Sequence, residues 1–210
     1  MTKLRAHSIA VSLDGFAAGP SQDLGNPMGI GGERLHPWMF ETAFGRAMMG
    51  KTGGTTGIDN DYLLAGVENV GAHIMGRNMF GPIRSEWGDS DWDGWWGDTP
   101  PYGHDVFVLT HYARDPLVMK GGTTFHFVTE GPEIALEQAV AAAGGQDVRV
   151  GGGAATIRQY LDLGLLDELH MVISPVLLGS GERLLDGAYD LDVVDVVSSE
   201  KVTHVRLAKR

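Results

Sequence analysis

The chain has 210 residues, of which 43% are hydrophobic and 20% are charged, a composition that suits one globular domain. Its 16 basic and 27 acidic residues give a formal net charge of −11, which opposes nonspecific binding to nucleic acid or to an anionic membrane. The sequence contains no cysteine, which excludes disulfides and thiolate metal sites. An anionic small ligand would therefore need a locally basic pocket.

The amino-terminal residues predict a strand over "LRAHSIAV", closed by the turn-like "SLDG". They contain no long apolar stretch, so we expect no signal peptide or membrane anchor, and a cytoplasmic location. Residues 18–36 are rich in glycine and proline and predict a long loop. Two helices are predicted next, over "PWMFETAFGRAMM" and "IDNDYLLAGVENV".

The middle of the chain predicts strands separated by one unusual segment. "AHIMGRNMF" is typical of a buried strand that runs into a helix start, and "DVFVLT" and "TTFHFVT" predict two further strands. Between the first two of these strands, residues 84–103 hold four of the five tryptophans among Asp, Gly and Pro. We interpret this tryptophan-rich segment as a loop insertion.

The carboxyl-terminal half continues the alternation. "PEIALEQAVAAAG" predicts a helix, and "QDVRV", "TIRQYLDLG" and "DELHMVISPV" predict a strand, a helix and a strand. The tail predicts a closing pair of antiparallel strands. Together these elements predict an α/β fold with a mixed sheet in one domain, residues 1–210.

Three consecutive glycines, Gly151–Gly153, stand between a predicted strand and a predicted helix. Backbone without side chains at such a turn lets a phosphate approach closely. A Rossmann dinucleotide fingerprint fits poorly, because Thr156 replaces the third glycine and the acidic pair 167–168 begins the next strand instead of ending it. A phosphate turn of another fold fits better, and a plain tight turn stays open as the alternative.

The stretch that runs from "GGGAATIRQYL" to "SPVLLGSGERLL" closely resembles the dihydrofolate-reductase-like family, which includes the reductase domain of bifunctional riboflavin-biosynthesis deaminase-reductases. "VSLDGFAAG", "MGRNMFGP" and "VFVLTH" agree with that family in the same order. The resemblance implies a mixed, mostly parallel eight-stranded sheet flanked by helices, with NADPH lying across the strand ends. Here the closing antiparallel strand pair completes that sheet.

The resemblance also implies which residues bind NADPH. The pyrophosphate would be held by backbone N–H groups of the glycine turn and the helix start, where the helix dipole favours anions. Arg77 would pair with a phosphate, and Asn78 would cap the helix that begins there. Thr110 and His111 would face the ribose and its 2′-phosphate, and Arg114 is close enough in sequence to contribute. Met79 departs from the family pattern, because many members carry a hydroxyl residue at this position. The predicted cofactor-binding residues are Gly76, Arg77, Asn78, Thr110, His111, Gly151, Gly152, Gly153, Ala154 and Ala155.

A reduction also needs a proton besides the hydride from the nicotinamide. Dihydrofolate reductases orient their substrate with a buried carboxylate, for which this sequence offers no clear counterpart. The catalytic residue is therefore unknown, and the candidates are Asp14, Glu33, Glu41 and Glu130. By resemblance the "SLDG" turn lies over the nicotinamide, which places Asp14 and Gly15 near the substrate.

The tryptophan-rich segment allows four interpretations. Flat rings stack on a heterocycle, which predicts a lid over the substrate pocket with Trp95 and Trp96 as substrate residues. The same rings could instead pack the loop onto the sheet or form a subunit interface, and a sugar-binding platform is a further alternative. The sequence slightly favours the lid. The eight histidines form no H-x-H or H-x-x-x-H pair, so we expect no metal.

Two functions follow from this reading. The first is an NADPH-dependent reductase of a small heterocycle, either pteridine- or folate-like or similar to a ribosylated aminopyrimidine of riboflavin biosynthesis. The second is a noncatalytic NADPH-binding or regulatory protein that has lost proton delivery. The absence of cysteine argues against a zinc deaminase half. The expected partners are a small-molecule substrate and a second copy of the chain. We expect a homodimer because relatives commonly form dimers and the closing strands offer apolar faces. We expect neither nucleic acid nor a membrane as a partner.

Overall fold

The structure, a computed structural model, describes residues 2–81, 84–88 and 91–210. Its strands are β1 (Leu4–Ser12), β2 (Phe16–Ala18), β3 (Val70–Gly76), β4 (Asp105–Leu109), β5 (Leu117–Val118), β6 (Thr124–Val128), β7 (Asp147–Gly152), β8 (Glu168–Ser174), β9 (Glu182–Arg183), β10 (Leu191–Ser198) and β11 (Thr203–Lys209). Its helices are α1 (Pro37–Phe40), α2 (Ala43–Met48), α3 (Ile58–Val67), α4 (Arg77–Phe80), α5 (Pro132–Ala142) and α6 (Ala154–Asp162). Two short 3-10 turns span Gly32–Leu35 and Lys120–Gly122.

The principal sheet has nine strands in the order β10-β11-β8-β1-β7-β3-β4-β6-β5, and β2 pairs with β9 in a small antiparallel sheet. The mixed, mostly parallel sheet and the closing antiparallel pair, β10 and β11, are confirmed. The sheet has one strand more than the predicted eight. The strands that the sequence analysis did not predict include β5, which has only two residues and pairs at the edge with β6.

Close packing divides the chain into two compact units, Met1–Ala6 with Asn69–Asp167 and His7–Glu68 with Glu168–Arg210. Strand β1 contributes to both, since its first three residues pair with β7 in the first unit and its remainder belongs to the second. The single domain over residues 1–210 stays a prediction.

The first unit is built on the parallel strands β7, β3, β4 and β6. Helix α5 packs on β3, β4 and β7 through Ala135 and Ala139, which are fully buried. These small side chains allow the helix to lie close to the sheet. An aromatic cluster also belongs to this unit and includes Met75, Phe80, Trp87, Val108 and Phe125.

The second unit carries β8, β11 and β10, which are joined in antiparallel order. Its apolar core includes Trp38, Leu63, Val172 and Val202. The first predicted helix is split into α1 and α2, because the Thr42 hydroxyl accepts the N–H of Gly45 and starts a new helix there. The predicted loop 18–36 also contains a 3-10 turn at its end.

In the described part of the chain, no helix is long and apolar enough to cross a membrane. Two residues of the predicted tryptophan-rich insertion, 89 and 90, lie outside the described residues, as do 82, 83 and residue 1.

Candidate cofactor and active site

The predicted cofactor residues of the first unit converge on one edge of its sheet. Strands β7, β3 and β4 are parallel neighbours, with Gly152 opposite Met75 and Gly76 opposite Leu109. Their carboxyl ends therefore bring the glycine turn, the start of α4 and the residue after β4 together. The carboxyl edge of a parallel sheet is the usual place for a ligand in α/β proteins.

The glycine turn leaves open space in front of its last residue. A Cβ added to Gly153 would meet no atom within 4 Å, and α6 begins at the next residue without a side-chain cap. The first N–H groups of a helix have no acceptor inside it, so those of Ala154 and Ala155 are available to an anion. Gly152 and Gly153 are joined by a cis peptide bond.

Glycine's conformational freedom is required at Gly152, whose φ is +129°, and not at Gly153, whose φ is −73°. At Gly153 the missing side chain matters through the space that it leaves open, and not through the backbone conformation. A Cβ on Gly152 would also lie 3.3 Å from the sulfur of Met79, the residue that departs from the family pattern. Met79 thus lies directly against the glycine turn.

Gly76 holds the end of β3 close to α6. A Cβ at this position would lie 2.3 Å from the Thr156 hydroxyl, so only glycine fits. Thr156 occupies the place where a Rossmann fingerprint has its third glycine, and here it packs on Gly76 instead. This contact brings Arg77 beside the glycine turn. Asn78 is exposed and does not cap α4, whose N-cap residue is Gly76, so the predicted capping role of Asn78 is wrong.

Arg77 is held from three sides. Its guanidinium donates to the Thr110 hydroxyl at 2.8 Å and to the Ser85 carbonyl at 3.0 Å, and it lies 3.1 Å from the centroid of the Trp87 ring. Its Nε is buried and has no hydrogen-bond partner within the described structure. Burial, and then the positive charge of Arg114, lower the pKa of Arg77 to about 10.

Arg114 approaches the same indole ring. Its guanidinium carbon lies 4.8 Å from the Trp87 centroid, and it donates to the carbonyl of Trp92 at 2.6 Å. Burial lowers the pKa of Arg114, while Asp93 and Asp91 oppose that shift. Trp87 thus fixes two cationic groups at one place. The sequence alone did not indicate this role of Trp87, although it places Arg114 only a few residues after the predicted ribose residues.

Thr110 and His111 follow β4 at the same edge. Thr110 is buried, and its hydroxyl oxygen also accepts the N–H of Tyr112 at 3.2 Å. His111 is exposed. The structure thus brings Thr110 against Arg77 and leaves His111 facing solvent.

In the second unit, Asp14 ties two loops together. Its carboxylate accepts the N–H of Leu178 at 3.1 Å and that of Gly179 at 2.7 Å. A hydrogen bond from the Ser12 side chain and these two backbone bonds lower the pKa of Asp14 to about 2. Gly15, next in the turn, has a φ of +87°. Asp14 is therefore an ionised loop anchor, poorly suited to donating a proton.

The other candidate acids are also committed to surface contacts. Glu41 is exposed and pairs with Lys201, while Glu130 is exposed and accepts the N–H and the hydroxyl of Thr129. Glu33 is exposed in a 3-10 turn. No Asp or Glu is among the buried residues of the described ranges. The structure therefore shows no buried carboxylate like that of dihydrofolate reductases in this part of the chain.

The tryptophan-rich insertion packs onto the first unit. Trp96 stacks on Phe125 with ring centroids 5.9 Å apart, and Trp92 donates its indole N–H to the Phe80 carbonyl at 3.0 Å. Trp95 lies edge-on against Trp92 at 4.7 Å. These contacts favour the packing alternative over the lid. The assignment of Trp95 and Trp96 to the substrate stays a prediction.

Within the described residues, no group of three or more His, Asp or Glu side chains is placed to hold a metal ion. The site offers backbone N–H groups, guanidinium groups and a hydroxyl, which are ligands for phosphate.

Comparison with known proteins identifies the family. The model of the RibD C-terminal domain matches residues 6–208, and the chain belongs to this family. Membership implies an oxidoreductase that uses a nicotinamide cofactor. No protein of the curated set matches.

Solved structures share the fold. A protein from Shewanella sp. PV-4, provisionally described as a riboflavin biosynthesis protein, is 22% identical with a TM-score of 0.62, over 100% of this chain and 99% of that one. A pyrimidine reductase-like protein from Corynebacterium diphtheriae is 15% identical with a TM-score of 0.54, over 99% of this chain and 91% of that one. The diaminohydroxyphosphoribosylaminopyrimidine deaminase/5-amino-6-(5-phosphoribosylamino)uracil reductase of Thermotoga maritima is 13% identical with a TM-score of 0.52; the match covers 100% of this chain and 56% of that one.

Proposed function

We propose that this protein is an NADPH-dependent reductase of a ribosylated aminopyrimidine. The observation that carries the proposal is the carboxyl edge of β7, β3 and β4, where an open glycine turn and two guanidinium groups follow the ends of neighbouring strands. Family membership supports the reaction class. The name of the Thermotoga relative supports the substrate class, since that protein is described as reducing a phosphoribosylaminouracil.

The residues present fit the pyrophosphate of the cofactor. The space in front of Gly153 is free of side chains, and the first N–H groups of α6 point toward an anion at that place. Gly151 and Gly152 complete the turn. These groups would bind the pyrophosphate through the backbone, so a protein with a net charge of −11 needs no further basic side chain there.

Arg77 and Arg114 fit the additional 2′-phosphate of NADPH. Two guanidinium groups on one indole ring repel each other: burial first, and then the charge of Arg114, lower the pKa of Arg77. A dianion between them would relieve that repulsion. The buried Nε of Arg77 offers one further donor. Thr110 and His111 would complete the contact with the ribose.

The bound cofactor supplies a hydride from C4 of its nicotinamide. The chain's own contribution is to bind and orient: the glycine turn and Arg77 fix the cofactor, and Asp14 holds the loop that contains Gly15 against residues 178–179. Because Asp14 is ionised at neutral pH, we assign it a positioning role. The proton would then come from solvent or from the substrate's own exchangeable groups.

A noncatalytic NADPH-binding protein is the second candidate. One observation favours it: no Asp or Glu is buried in the part of the chain that the structure describes. Such a protein would bind NADPH at the same edge and would turn over no substrate.

The test is NADPH oxidation, followed at the nicotinamide absorbance, with ribosylaminopyrimidines (with and without the 5-phosphate), dihydropterins and folates. The proposal predicts turnover of a ribosylaminopyrimidine and its loss in the Gly153→Val variant. Turnover of a pterin or folate alone would correct the substrate class. Tight NADPH binding with no turnover across the panel would favour the noncatalytic protein, and no NADPH binding would overturn both.

A further inference from the structure

Three buried histidines form a continuous hydrogen-bonded chain in the second unit. His7, His170 and His204 lie on the adjacent strands β1, β8 and β11 and are 6%, 1% and 0% exposed. His170 Nε2 lies 3.0 Å from His204 Nδ1, and His170 Nδ1 lies 3.1 Å from His7 Nδ1. The chain ends at Asp59, whose carboxylate lies 2.8 Å from His204 Nε2. The proposed reductase chemistry uses none of these groups.

One backbone donor sets the direction of this chain. The N–H of Ser8 donates to His170 Nδ1 at 3.2 Å, so that nitrogen is an acceptor and the ring proton of neutral His170 sits on Nε2. His170 Nε2–H then donates to His204 Nδ1, and His204 Nε2–H donates to Asp59. In this orientation, each ring nitrogen of His170 and of His204 therefore takes part in a hydrogen bond.

The histidine chain also contacts helix α3, which packs on these strands through Leu63 as well. Asp59 accepts from His204, and the ring of Tyr62 stacks on His170 and His204 with centroids 4.6 and 4.3 Å away. A Cβ at Gly66 would lie 2.6 Å from His7 Nδ1, so the last turn of α3 lies directly on that ring. The histidines thus contact α3 in its first turn, its middle and its last turn.

Charged groups of β10 and β11 also lie near the histidine chain. The Tyr62 hydroxyl donates to Asp195 of β10 at 2.6 Å, and burial, together with Asp195, raises the pKa of Tyr62 to about 12. Arg206 of β11 stands opposite His170 in the strand register and also acts on Tyr62. Asp59 and Asp195 are thus two carboxylates near the histidine chain, and Arg206 is a cation opposite His170.

We propose that the His7–His170–His204–Asp59 chain is a proton-sensitive lock that releases helix α3 in mild acid. A proton taken from solvent onto His204 Nδ1 would face the N–H of His170, and a proton on His170 Nδ1 would face the N–H of Ser8. Either uptake breaks a hydrogen bond of the chain and places a cation in the buried core. In the opened state a histidine takes up a proton without breaking a hydrogen bond of the histidine chain. Acid therefore favours opening.

The experiment is amide hydrogen exchange of the whole protein at about pH 7.5 and about pH 5.5, on either side of the ordinary histidine pKa of about 6.5. After correction for the intrinsic exchange rate, opening of α3 should rise about ten-fold in total between these two pH values for each proton taken up, while α6 stays unchanged. His170→Phe keeps a stacking ring that cannot be protonated, and His204 can still pair with Asp59. The increase in α3 opening between the two pH values should therefore be smaller than in the parent protein. The matched control is His111→Phe, at an exposed position of the first unit, which should respond like the parent protein.

Acid opening of α3 that is blunted by His170→Phe supports the lock. An α3 that opens no more at about pH 5.5 than at about pH 7.5, or equal acid opening in the His170→Phe variant, would overturn it. If that variant does not fold, nitrogen NMR of the parent protein decides. The lock requires His170 to remain neutral with the proton on Nε2 for as long as α3 is protected, and protonation of the His170 ring under a protected α3 contradicts it.

Discussion

The guanidinium carbon of Arg77 lies 3.1 Å from the ring centroid of Trp87, and that of Arg114 lies 4.8 Å from the same centroid. Cation–π contacts of this kind are worth about 0.5–2 kcal/mol each, depending on how far the groups are desolvated. The indole therefore holds two like charges together that would otherwise separate. An anion-binding site is the functional reason that we propose for such an arrangement beside an open glycine turn.

Replacement of Gly153 by Val should weaken NADPH binding at least about ten-fold, or about 1.4 kcal/mol, and leave the fold intact. The added side chain projects into open space, so it meets no protein atom within 4 Å, and φ at this residue is −73°, which valine can adopt. Calorimetry measures the affinity and circular dichroism the fold. Ala141→Val, on the exposed face of α5, is the control and should bind normally. Normal binding by the Gly153 variant would place the pyrophosphate elsewhere.

Replacement of Trp95 and Trp96 by Leu should lower the melting temperature, at a cost of about 1–3 kcal/mol, and leave NADPH affinity nearly unchanged. The reason is that Trp96 stacks on Phe125 and meets Tyr102 edge-on at 5.3 Å, so its ring is part of the packing. Thermal unfolding and calorimetry on the same samples separate the effects. Unchanged stability with substrate binding weakened by about 1–3 kcal/mol would instead support the lid.

Replacement of Asp14 by Asn should loosen the loop around residues 178–179, since the amide oxygen is a weaker acceptor than the carboxylate for two N–H groups. Faster amide exchange at Leu178 and Gly179 measures this. In the parent protein the pKa of Asp14 is lowered to about 2, so the anchor is present above the ordinary value of 3.8 and is lost as the pH falls through about 2. Protection that disappears already near neutral pH would show that Asp14 does not hold the loop.

We expect a homodimer formed along β10, an edge strand of the nine-stranded sheet. Val193, Val194 and Val196 are 63%, 56% and 57% exposed there, and an uncovered apolar edge strand favours pairing. Light scattering should give a mass near twice 22.5 kDa, and Val196→Asp should reduce it to one chain. Val118→Asp, at a residue 82% exposed on the opposite edge strand β5, should leave the dimer intact. A monomeric parent protein refutes the proposal.

The cofactor edge could be predicted from the sequence because its parts are local. A strand, a turn of small residues and a helix follow one another at Gly151–Ala155, and parallel strands bring such turns to the same edge. Hydrophobic periodicity likewise predicted the long strands and the closing pair. The two-residue strand β5 has too few residues for any periodicity to appear.

Contacts between distant residues could not be predicted in the same way. Asp14 meets Gly179 across 165 positions, and His170 meets His7 across 163, so no local pattern encodes either pair. The sequence places His170 within the predicted strand "DELHMVISPV", but the hydrogen-bonded histidine chain that it forms depends on the order of β1, β8 and β11. The contacts of Trp87 with the two guanidinium groups depend in the same way on the fold of the insertion.

The most direct measurement is calorimetric titration of the parent protein with NADPH and with NADH. An Arg–phosphate contact contributes about 1.5–3 kcal/mol, so we expect NADPH to bind about ten- to a hundred-fold more tightly. Arg77→Gln and Arg114→Gln should each reduce that preference, while Lys120→Gln, which removes an exposed cation paired with Asp98, should keep it. Equal affinities for the two cofactors in the parent protein would contradict the 2′-phosphate site at Arg77, Trp87 and Arg114.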